Sequence, residues 1–487
     1  MANLTDAEIQ AIISRVKERV AHGDIEGKTG SALRAAEAVA AAAESLGDGV
    51  FGTIDEAVGA AKRAFGMYAS SGLEPRKKII EAIRVSMRAN NEHLAYMARQ
   101  ETGLGRADDK VLKNHLVIER TPGPEDLEPT VVTGDRGMMV TECAPYGVVG
   151  AITPSTNPTS TIINNAIAIL SAGNAVVFNV HPSAKNVSVE NVKLINRAVV
   201  SAGGPPNLVT CVAVPTLASA QALMQHPDVR VLLVTGGPGV VREALRTPKK
   251  AITAGPGNPP AVVDPTADIA KAAKAIVDGA SFDNNIICVD EKTTIVVDTV
   301  ADRLVQHMSA VGAYRLKEHE LKRLERVIFK EMGPPNKPGV IDGRFIGKDA
   351  AVILNEIGVS VPPEVKLVIA EVRAEHSLVW TEQMMPVMPI VRVKDVDAAI
   401  DLAVRSEHGF RHTASIHSTN VDTITRMARA MNCSIFVANG SNIAGLGSDG
   451  EGYTSFSIAS PTGEGLTRPR TFSRERRVSV IGALRIV

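Results

Sequence analysis

The sequence predicts an α/β protein built around a parallel, doubly wound sheet. Short apolar strands alternate with helices from residue 147 onward, as they do when crossover helices join parallel strands. The strands GVVGAI, AVVFNV and RVLLVTG are almost entirely apolar, which is typical of a sheet covered on both faces. The chain of 487 residues is long enough for about two to four domains. A sheet of this kind binds its ligands at the carboxyl ends of its strands.

The composition excludes several classes of protein. The 53 Lys and Arg residues balance 53 Asp and Glu residues, which leaves no basic excess for a nucleic-acid backbone, and only 3% of the residues are aromatic. The chain contains no run of 18 apolar residues, and its first ten residues lack the apolar core of a secretory signal. We therefore expect a cytoplasmic protein with neither a nucleic-acid nor a membrane partner. Because the net charge is zero, self-association meets little repulsion.

The first residues predict a helix that is separate from the rest of the chain. Apolar residues recur at helical spacing over residues 3–20, and Thr5 with Glu8 forms a capping box. Residues 21–31 are glycine-rich and are typical of a linker. A helix this short has no core of its own. It either docks on the body of the protein or binds a partner through its apolar stripe, and the residues leave both interpretations open.

The next hundred residues are predicted to be mostly helical. Helical periodicity extends over residues 32–120 and includes an unbroken pattern at residues 73–102. Residues 122–130 interrupt it. Residues 131–142 are then typical of a β-hairpin, with its turn at residues 134–137.

Strands and helices alternate after the hairpin, and they do so in two sets. The first set comprises strands at 147–152, 175–180, 207–214 and 230–236, and helices at 159–173, 186–203, 218–227 and from Val240 onward. The second set begins with a strand at 260–264, a helix at 266–280 bounded by Thr266 and Gly279, a polar loop and a strand at 293–297. The alternation continues to about residue 445. Residues 441–470 are predicted to be loop, and residues 478–487 a terminal strand.

Cys288 is the first candidate for a reactive group. The four cysteines form no C-x-x-C pair, so neither a metal site nor a disulfide scaffold is predicted. Cys288 lies in the loop SFDNNIICVDEK, between a polar Asp-Asn-Asn run and an apolar strand. A polar loop can stabilise the thiolate that a nucleophile needs. On position alone, a buried structural cysteine is the simpler interpretation.

Two further segments lie where strands of the first set end. The loop TGGPGVV at residues 235–241 opens a helix, so its N–H groups could bind a pyrophosphate, although it is neither G-x-G-x-x-G nor a Walker loop. Asn157, in ITPSTNPTS, is flanked by Pro154 and Pro158, and a rigidly placed amide can donate to an oxyanion. An ordinary strand–helix turn and a helix cap are the simpler interpretations.

Together these segments resemble one family over nearly the whole chain. Residues 145–185 resemble the first strands of the aldehyde dehydrogenase superfamily, and the TPSTNP sequence at residues 153–158 is frequent in its CoA-acylating branch. Residues 281–297 resemble the catalytic-cysteine segment of that branch, and residues 407–420 also resemble it. Within the branch, the similarity is closest to the propionaldehyde dehydrogenases of bacterial microcompartments that serve propanediol utilisation. The acetaldehyde-specific microcompartment enzymes are nearly as similar.

The resemblance implies an architecture and a partner. It implies a Rossmann-like cofactor domain, an α/β catalytic domain and a small β element that forms a homodimer or homotetramer through edge strands. It also implies that residues 1–20 act as an encapsulation peptide, which binds a microcompartment shell protein through residues 3–20. The implied ranges are 32–125, 148–252 and 447–470 for the cofactor domain, 253–446 for the catalytic domain, and 126–147 with 471–487 for the oligomerisation element.

The resemblance further implies an activity and its residues. A short aldehyde, propanal before acetaldehyde, would be oxidised with NAD, and coenzyme A would take the acyl group from a thioester on Cys288. Asn157 and the backbone N–H of Cys288 would form the oxyanion hole, and Glu382 would hold the nicotinamide ribose. The remaining residues implied in cofactor binding are Thr153, Pro154, Ser155, Asn179, His181, Thr235, Gly236, Gly237 and Gly239.

Two departures from the wider superfamily are informative. Hydrolytic members carry a glutamate that activates water, and Ala254 stands about where that acid would be. A thiol needs less activation than water because its pKa is near 8.5 rather than 15.7, so this departure favours transfer to coenzyme A. Asn179 and Pro182 replace the lysine and glutamate near the adenosine ribose. NAD is the first choice of coenzyme, and NADP is the alternative.

His412 is a candidate base for the coenzyme A thiol, although a loop histidine bound to backbone is the favoured interpretation and His412 is left out of the catalytic set. Three other functions stay open. They are a hydrolytic aldehyde dehydrogenase, a reductase of acyl phosphates and a non-catalytic scaffold. The missing glutamate disfavours the first of these, and the presence of Cys288 with Asn157 disfavours the last.

Overall fold

A computed structural model describes residues 47–486, so the predicted helix at residues 1–20, the linker at 21–31 and the first part of the predicted helical region, residues 32–46, lie outside the described residues. The strands are β1 (Val50–Phe51), β2 (Thr130–Gly134), β3 (Gly137–Pro145), β4 (Val148–Ile152), β5 (Ala175–Asn179), β6 (Val209–Val212), β7 (Val229–Thr235), β8 (Lys250–Ala254), β9 (Pro260–Val263), β10 (Thr293–Val297), β11 (Ala313–Arg315), β12 (Phe329–Glu331), β13 (Val340–Ile341), β14 (Leu367–Glu371), β15 (Val387–Val393), β16 (Thr413–His417), β17 (Ile435–Ala438), β18 (Ile458–Ala459), β19 (Gly465–Leu466) and β20 (Ser473–Ile481). The helices are α1 (Ile54–Tyr68), α2 (Leu73–Ala89), α3 (Asn91–Thr102), α4 (Ala107–Arg120), α5 (Pro158–Ser171), α6 (Lys185–Ser201), α7 (Leu217–Gln225), α8 (Pro238–Leu245), α9 (Ile269–Ser281), α10 (Asp298–Ala310), α11 (Glu318–Ile328), α12 (Ala350–Asn355), α13 (Ser377–Trp380), α14 (Val396–Ser406) and α15 (Val421–Met431).

The predicted parallel, doubly wound sheet is confirmed. Six parallel strands lie in the order β1-β6-β5-β4-β7-β8. Every residue of β4 and β5 is buried, because helices cover both faces of the sheet at its centre. The chain moves outward from β4 through β5 and β6 and then returns to β7 on the other side. This reversal opens a crevice at the carboxyl ends of β4 and β7, where ligands of doubly wound sheets bind.

A second parallel sheet has seven strands, in the order β11-β14-β15-β10-β9-β16-β17. Its inner strands are apolar runs such as PAVV and TTIVV, which are buried at every position. Helices α9 and α10 pack against each other and contact the sheet. Together with the sheet they enclose a core that is separate from that of the first sheet.

The third sheet has the antiparallel order β2-β3-β20. The predicted hairpin is confirmed, since β2 and β3 pair through Gly134 and Gly137. The prediction for the terminal strand is wrong at both ends, because the strand covers residues 473–481 rather than 478–487. Residues 474–477, RERR, are exposed, and charged residues of this kind carry no apolar strand pattern. Gly482, with a φ of +70°, follows the last residue of the strand. In the part of the chain described, no helix is long and apolar enough to cross a membrane.

Three other boundaries differ from the predictions. The helical pattern at residues 73–102 is divided by Asn90, whose side chain donates to the carbonyl of Ser86 at 2.8 Å. Helix α9 begins at Ile269 rather than near Thr266, because Asp268 caps it by accepting from the N–H of Lys271. The predicted loop at residues 441–470 contains the short antiparallel pair β18 and β19.

Candidate active site

A cleft of about 820 Å³ opens where the two parallel sheets face each other. It lies at the carboxyl ends of β4, β5 and β7 and beside the loops that precede β10 and β15. The first sheet therefore contributes the carboxyl ends of its strands, as its topology predicts, whereas the second sheet contributes the amino ends of its strands. All of the site residues predicted from the sequence line this cleft: Thr153, Pro154, Ser155, Asn157, Asn179, His181, Thr235, Gly236, Gly237, Gly239, Cys288 and Glu382.

The loop before Cys288 has an unusual backbone. Asp283, Asn284 and Asn285 have φ values of +44°, +56° and +64°, which places three successive residues in the left-handed region. Aspartate and asparagine tolerate this region better than other side-chain-bearing residues. The Asp-Asn-Asn run noticed in the sequence is therefore explained by backbone geometry. Such conformations persist only where surrounding contacts determine them.

Side-chain hydrogen bonds hold this left-handed turn in place. Nδ2 of Asn284 donates to the carbonyl of Gly347 at 3.0 Å and to Oδ1 of Asp349 at 2.9 Å. Nδ2 of Asn285 donates to the carbonyls of Ala280 at 2.7 Å and Glu291 at 3.0 Å. The turn is thus fixed to the end of α9 and to the segment before α12. It delivers Cys288 to the cleft in a set orientation.

Lys292 closes the same loop from the other side of Cys288. Its buried ammonium donates to the carbonyl and the side-chain oxygen of Asn285, both at 2.7 Å, and to the carbonyl of Ile287 at 3.0 Å. Burial lowers the pKa of Lys292. Its charge also lowers the pKa of the Cys288 thiol, although this effect is smaller than those of burial and Glu382.

The thiol of Cys288 is protonated at neutral pH. Burial and, after it, the charge of Glu382 raise its pKa to about 12. Glu382 itself is half-buried, and burial raises its pKa. Its Oε1 accepts weakly from the N–H of Gly257, at 3.4 Å. Because the charge of Glu382 opposes ionisation of the thiol, the cleft needs an added positive charge or a base before Cys288 becomes a good nucleophile.

Asn157 does not cap helix α5, although it occupies the cap position. Its Oδ1 instead accepts from Nζ of Lys113 at 2.6 Å, and its Nδ2 lies 3.2 Å from Oγ1 of Thr156. The simpler interpretation of Asn157 as a cap is therefore wrong. Lys113 is not among the residues predicted for the site, and the sequence offers only a pair of lysines three positions apart on a predicted helix as a signal.

The loop after β7 leaves room for a ligand at the start of α8. A Cβ added at Gly237 or Gly239 would meet no atom within 4 Å, so both glycines border open space. A Cβ at Gly236 would lie 2.8 Å from Cγ1 of Val240, so glycine is required there for packing. Pro238 occupies the first turn of the helix, no side chain caps this turn, and Gly239 and Val240 line the cleft. This arrangement suits a pyrophosphate.

The outer end of the cleft is polar without being acidic. Oδ1 of the buried Asn179 accepts from the hydroxyl of Ser219, and His181 bonds through Nδ1 to Ser183. Burial lowers the pKa of His181, so this imidazole is neutral at pH 7. Among the residues that line the cleft, Glu382 is the single carboxylate. Ala254, at the end of β8, is buried next to the lining residue Gly255 and supplies no acid there.

His412 lies close to the nucleophile but does not line the cleft. A methyl group on Gly257 would lie 2.6 Å from the carbonyl oxygen of Cys288 and 3.1 Å from Cγ of His412, so both pack on this glycine. Nδ1 of His412 bonds to Oγ1 of Thr413 at 2.8 Å, while the buried Nε2 has no partner among the described residues. Burial lowers the pKa of His412 to about 4, and the ring is therefore neutral.

Comparison with known proteins supports the family suggested by the sequence. The chain is 49% identical over 440 residues to the acetylating acetaldehyde dehydrogenase EutE of Salmonella typhimurium, covering 90% of this chain and 94% of that protein. It superposes with a TM-score of 0.88 on the propionaldehyde dehydrogenase of Rhodopseudomonas palustris with bound CoA and an acylated cysteine, at 45% identity and covering 91% and 100% of the two chains.

A second solved structure gives the same result. The propionaldehyde dehydrogenase from the fucose utilisation bacterial microcompartment of Clostridium phytofermentans superposes with a TM-score of 0.88 at 44% identity, covering 91% and 100% of the two chains. The sequence profile of the aldehyde dehydrogenase family matches residues 45–319 and 355–453. The resemblance inferred from the motifs is thereby confirmed. The chain belongs to the aldehyde dehydrogenase family.

Proposed function

We propose that the protein is a CoA-acylating aldehyde dehydrogenase that oxidises a short aldehyde with a nicotinamide coenzyme and transfers the acyl group to coenzyme A. The observation that carries this proposal is the cleft, which combines the thiol of Cys288, the amide of Asn157 and the open start of helix α8. The similar proteins include an acetylating acetaldehyde dehydrogenase and a propionaldehyde dehydrogenase, and this similarity supports the same activity. We expect propanal to be the preferred aldehyde and acetaldehyde to be a second substrate.

The first half of the reaction forms a thioester on the chain. The thiol of Cys288 releases its proton to solvent, and its sulfur attacks the carbonyl carbon of the aldehyde. The carbonyl oxygen becomes an oxyanion, to which Nδ2 of Asn157 and the N–H of Cys288 donate. The coenzyme, when bound, supplies the acceptor for the hydride. Loss of hydride from the former aldehyde carbon re-forms the carbonyl and leaves an acyl thioester on Cys288.

The second half transfers the acyl group to coenzyme A. The coenzyme A thiol loses its proton and attacks the thioester carbonyl, and the sulfur of Cys288 leaves and is reprotonated. Asn157 stabilises the oxyanion again, because both halves pass through the same tetrahedral geometry. Ala254 offers no base to water, so hydrolysis has little assistance from this position. A thiol is the easier nucleophile to activate near neutral pH.

The nicotinamide coenzyme fits the cleft in its chemistry. Gly237 and Gly239 border an open space that a Cβ would enter, and helix α8 begins beside this space. The backbone N–H groups of a helix N-terminus are suited to bind a pyrophosphate. Glu382 would hold the nicotinamide ribose, while Asn179 and His181 would contact the adenosine end together with Thr153, Pro154, Ser155 and Thr235. We propose NAD as the preferred coenzyme. NADP stays the alternative, because no carboxylate among the lining residues repels a 2′-phosphate at that end.

A hydrolytic aldehyde dehydrogenase is the second candidate, and Glu382 is the observation that favours it. Burial raises the pKa of this carboxyl, as is common for general bases, and its charge acts on Cys288. Glutamate at this place would activate water against the thioester. Glu382→Gln should then abolish turnover in the absence of coenzyme A, whereas a CoA-acylating enzyme has no such turnover to lose.

Trapping the thioester tests the proposal directly. The protein is incubated with propanal and NAD but without coenzyme A, and intact-mass spectrometry follows the mass of the chain. We expect one propanoyl group per chain, located on Cys288 by peptide mapping and absent from Cys288→Ala. Addition of coenzyme A should remove it and yield propanoyl-CoA. A thioester that decays to propanoate as fast without coenzyme A as with it would refute the acylating function.

We also propose that residues 3–20 direct the protein to the shell of a bacterial microcompartment. The amphipathic pattern and the following linker support this role, and one relative comes from a fucose utilisation microcompartment. Fusion of residues 1–20 to a fluorescent protein, expressed beside an assembled shell, tests it. We expect fluorescence to colocalise with the shell. Diffuse fluorescence would contradict the proposal.

We propose in addition that the sheet β2-β3-β20 joins copies of the chain into a homodimer or homotetramer. Strands β2 and β20 are its two edges, and Val132, Val478 and Ile481 on these strands are exposed. Apolar edge strands pair with other chains unless they are blocked. Sedimentation analysis of the full chain should show a dimer or tetramer, and a monomer at micromolar concentration would contradict this proposal.

A further inference from the structure

Lys113, on helix α4, determines the orientation of the amide of Asn157. Its side chain is only 2% exposed, and Nζ lies 2.6 Å from Oδ1 of Asn157. An ammonium group can only donate, so the atom that faces it must be the amide oxygen. Because the amide is planar, Nδ2 is then directed away from Lys113. Its remaining contact with Oγ1 of Thr156 leaves a second N–H for a ligand in the cleft.

The same lysine also contacts the loop of the nucleophile. Nζ of Lys113 pairs with Oδ2 of Asp283, the first residue of the left-handed turn that leads to Cys288. The carboxylate of Asp283 is fully buried and accepts in addition from the N–H of Arg106 at 2.6 Å and from Lys110 at 3.0 Å. One buried cluster therefore touches both halves of the site, the amide and the loop of the thiol.

A buried cation, Nζ of Lys113, lies directly against the amide oxygen of Asn157. Lys113 and the equally buried Lys110 both pair with the carboxylate of Asp283, and the carboxylate of Asp109 accepts from the backbone N–H of Asp283 beside them. A buried cation bonded to an amide oxygen withdraws electron density from the amide and makes its N–H a stronger donor. An oxyanion that forms opposite Nδ2 benefits from this polarisation, whereas a neutral aldehyde benefits much less.

We propose that Lys113 is a positioning residue for the oxyanion hole, which fixes and polarises Asn157 and couples it to the turn that carries Cys288. This inference rests on the proposed function, since it assigns a role in the same reaction. Lys113 does not reach the substrate and acts through Asn157. Its contribution should therefore disappear when Asn157 is absent, which a purely structural role would not do.

Helix α4 offers a matched control. Lys110 is equally buried and pairs with the same carboxylate, but its other contact is the backbone carbonyl of Thr156 at 3.4 Å rather than the amide of Asn157. Lys113→Met and Lys110→Met should lower the thermal midpoint to similar degrees. Lys113→Met should lower kcat for coenzyme reduction by about 10- to 100-fold, clearly more than Lys110→Met does, with little change in KM for propanal.

A double-mutant cycle decides the question. Asn157→Ala alone should lower kcat by about 100- to 1000-fold, and addition of Lys113→Met to it should cause little further loss. Lys113→Gln, which keeps a donor without the charge, should lie between wild type and Lys113→Met. The positioning role is wrong if the loss of kcat in the double variant equals the product of the losses in Asn157→Ala and Lys113→Met. It is also wrong if Lys110→Met and Lys113→Met lower kcat equally.

Wild type and Asn157→Ala separate this inference from the function on which it rests. Inactive wild-type protein would overturn the proposed function, whereas active wild-type protein with an unaffected Lys113→Met would overturn the positioning role alone. If Lys113→Met does not fold, the same cycle is measured with Lys113→Gln and Lys110→Gln, and multiplied losses would again contradict the inference.

Discussion

The charge of Glu382 suppresses the reactivity of Cys288, and neutralising it should increase the fraction of thiolate. Burial raises the pKa of the Cys288 thiol to about 12, and Glu382 is the next cause in size. At this pKa only about one thiol in 10⁴ is ionised at pH 8. Glu382→Gln removes the charge and keeps the shape of the side chain. Loss of this charge should lower the pKa of the thiol and increase the fraction of thiolate, so we expect Cys288 to be alkylated about tenfold faster.

The assay is the rate of iodoacetamide alkylation, resolved by peptide mass spectrometry over a pH series and without coenzyme. Burial raises the pKa of Glu382. The difference in alkylation rate between Glu382→Gln and wild type should therefore shrink as the pH falls through the pKa of Glu382, because the wild-type side chain then becomes neutral as well. Glu407→Gln is the matched control, since the charge of Glu407 raises the pKa of Cys433 rather than that of Cys288. Unchanged or slower alkylation of Cys288 in Glu382→Gln would refute the electrostatic reasoning.

Three further predictions follow from the geometry. Gly237→Val should raise KM for NAD about tenfold or more without lowering stability, because the added Cβ meets only open space, and initial rates with a melting curve check this. Asn285→Ala should lower the free energy of unfolding, measured by denaturant titration, by about 2–4 kcal/mol, because alanine is strained at positive φ and the hydrogen bonds of the amide are lost. Asn336 is exposed and has a φ of +63°, so Asn336→Ala should lower it by only about 1–2 kcal/mol. Gly137→Val would collide with the carbonyl of Val480, so it should separate β20 from β3 and convert an oligomer to smaller species in sedimentation, while an unchanged sedimentation coefficient would speak against this sheet as the interface.

The first sheet was predictable because its strands are buried on both faces. Such strands appear in a sequence as unbroken apolar runs, and AVVFN and VVGAI left little ambiguity. Strand β1 has two residues and carries no periodicity, so no local pattern marks it. The strand at the end of the chain begins with RERR and is exposed, because it gains its partners from β3 rather than from burial.

The candidate site was predictable where single segments carried it. The loops after β4 and β7 and the segment around Cys288 each have a local sequence pattern, and the structure brings all of them to one cleft. Lys113 was not predictable, because its partner Asp283 lies 170 residues away and two lysines three positions apart on a helix are usually solvent-exposed. The left-handed turn could have been suspected from its Asp-Asn-Asn run, since these residues tolerate positive φ.

The proposed function depends most on coenzyme A as the acceptor of the acyl group. The most direct test follows NADH formation from propanal and NAD, with and without coenzyme A, in wild type and Cys288→Ala. We expect sustained turnover only with coenzyme A, at most a single turnover without it, and none in the variant. Sustained turnover without coenzyme A would contradict it and would establish water as the acceptor.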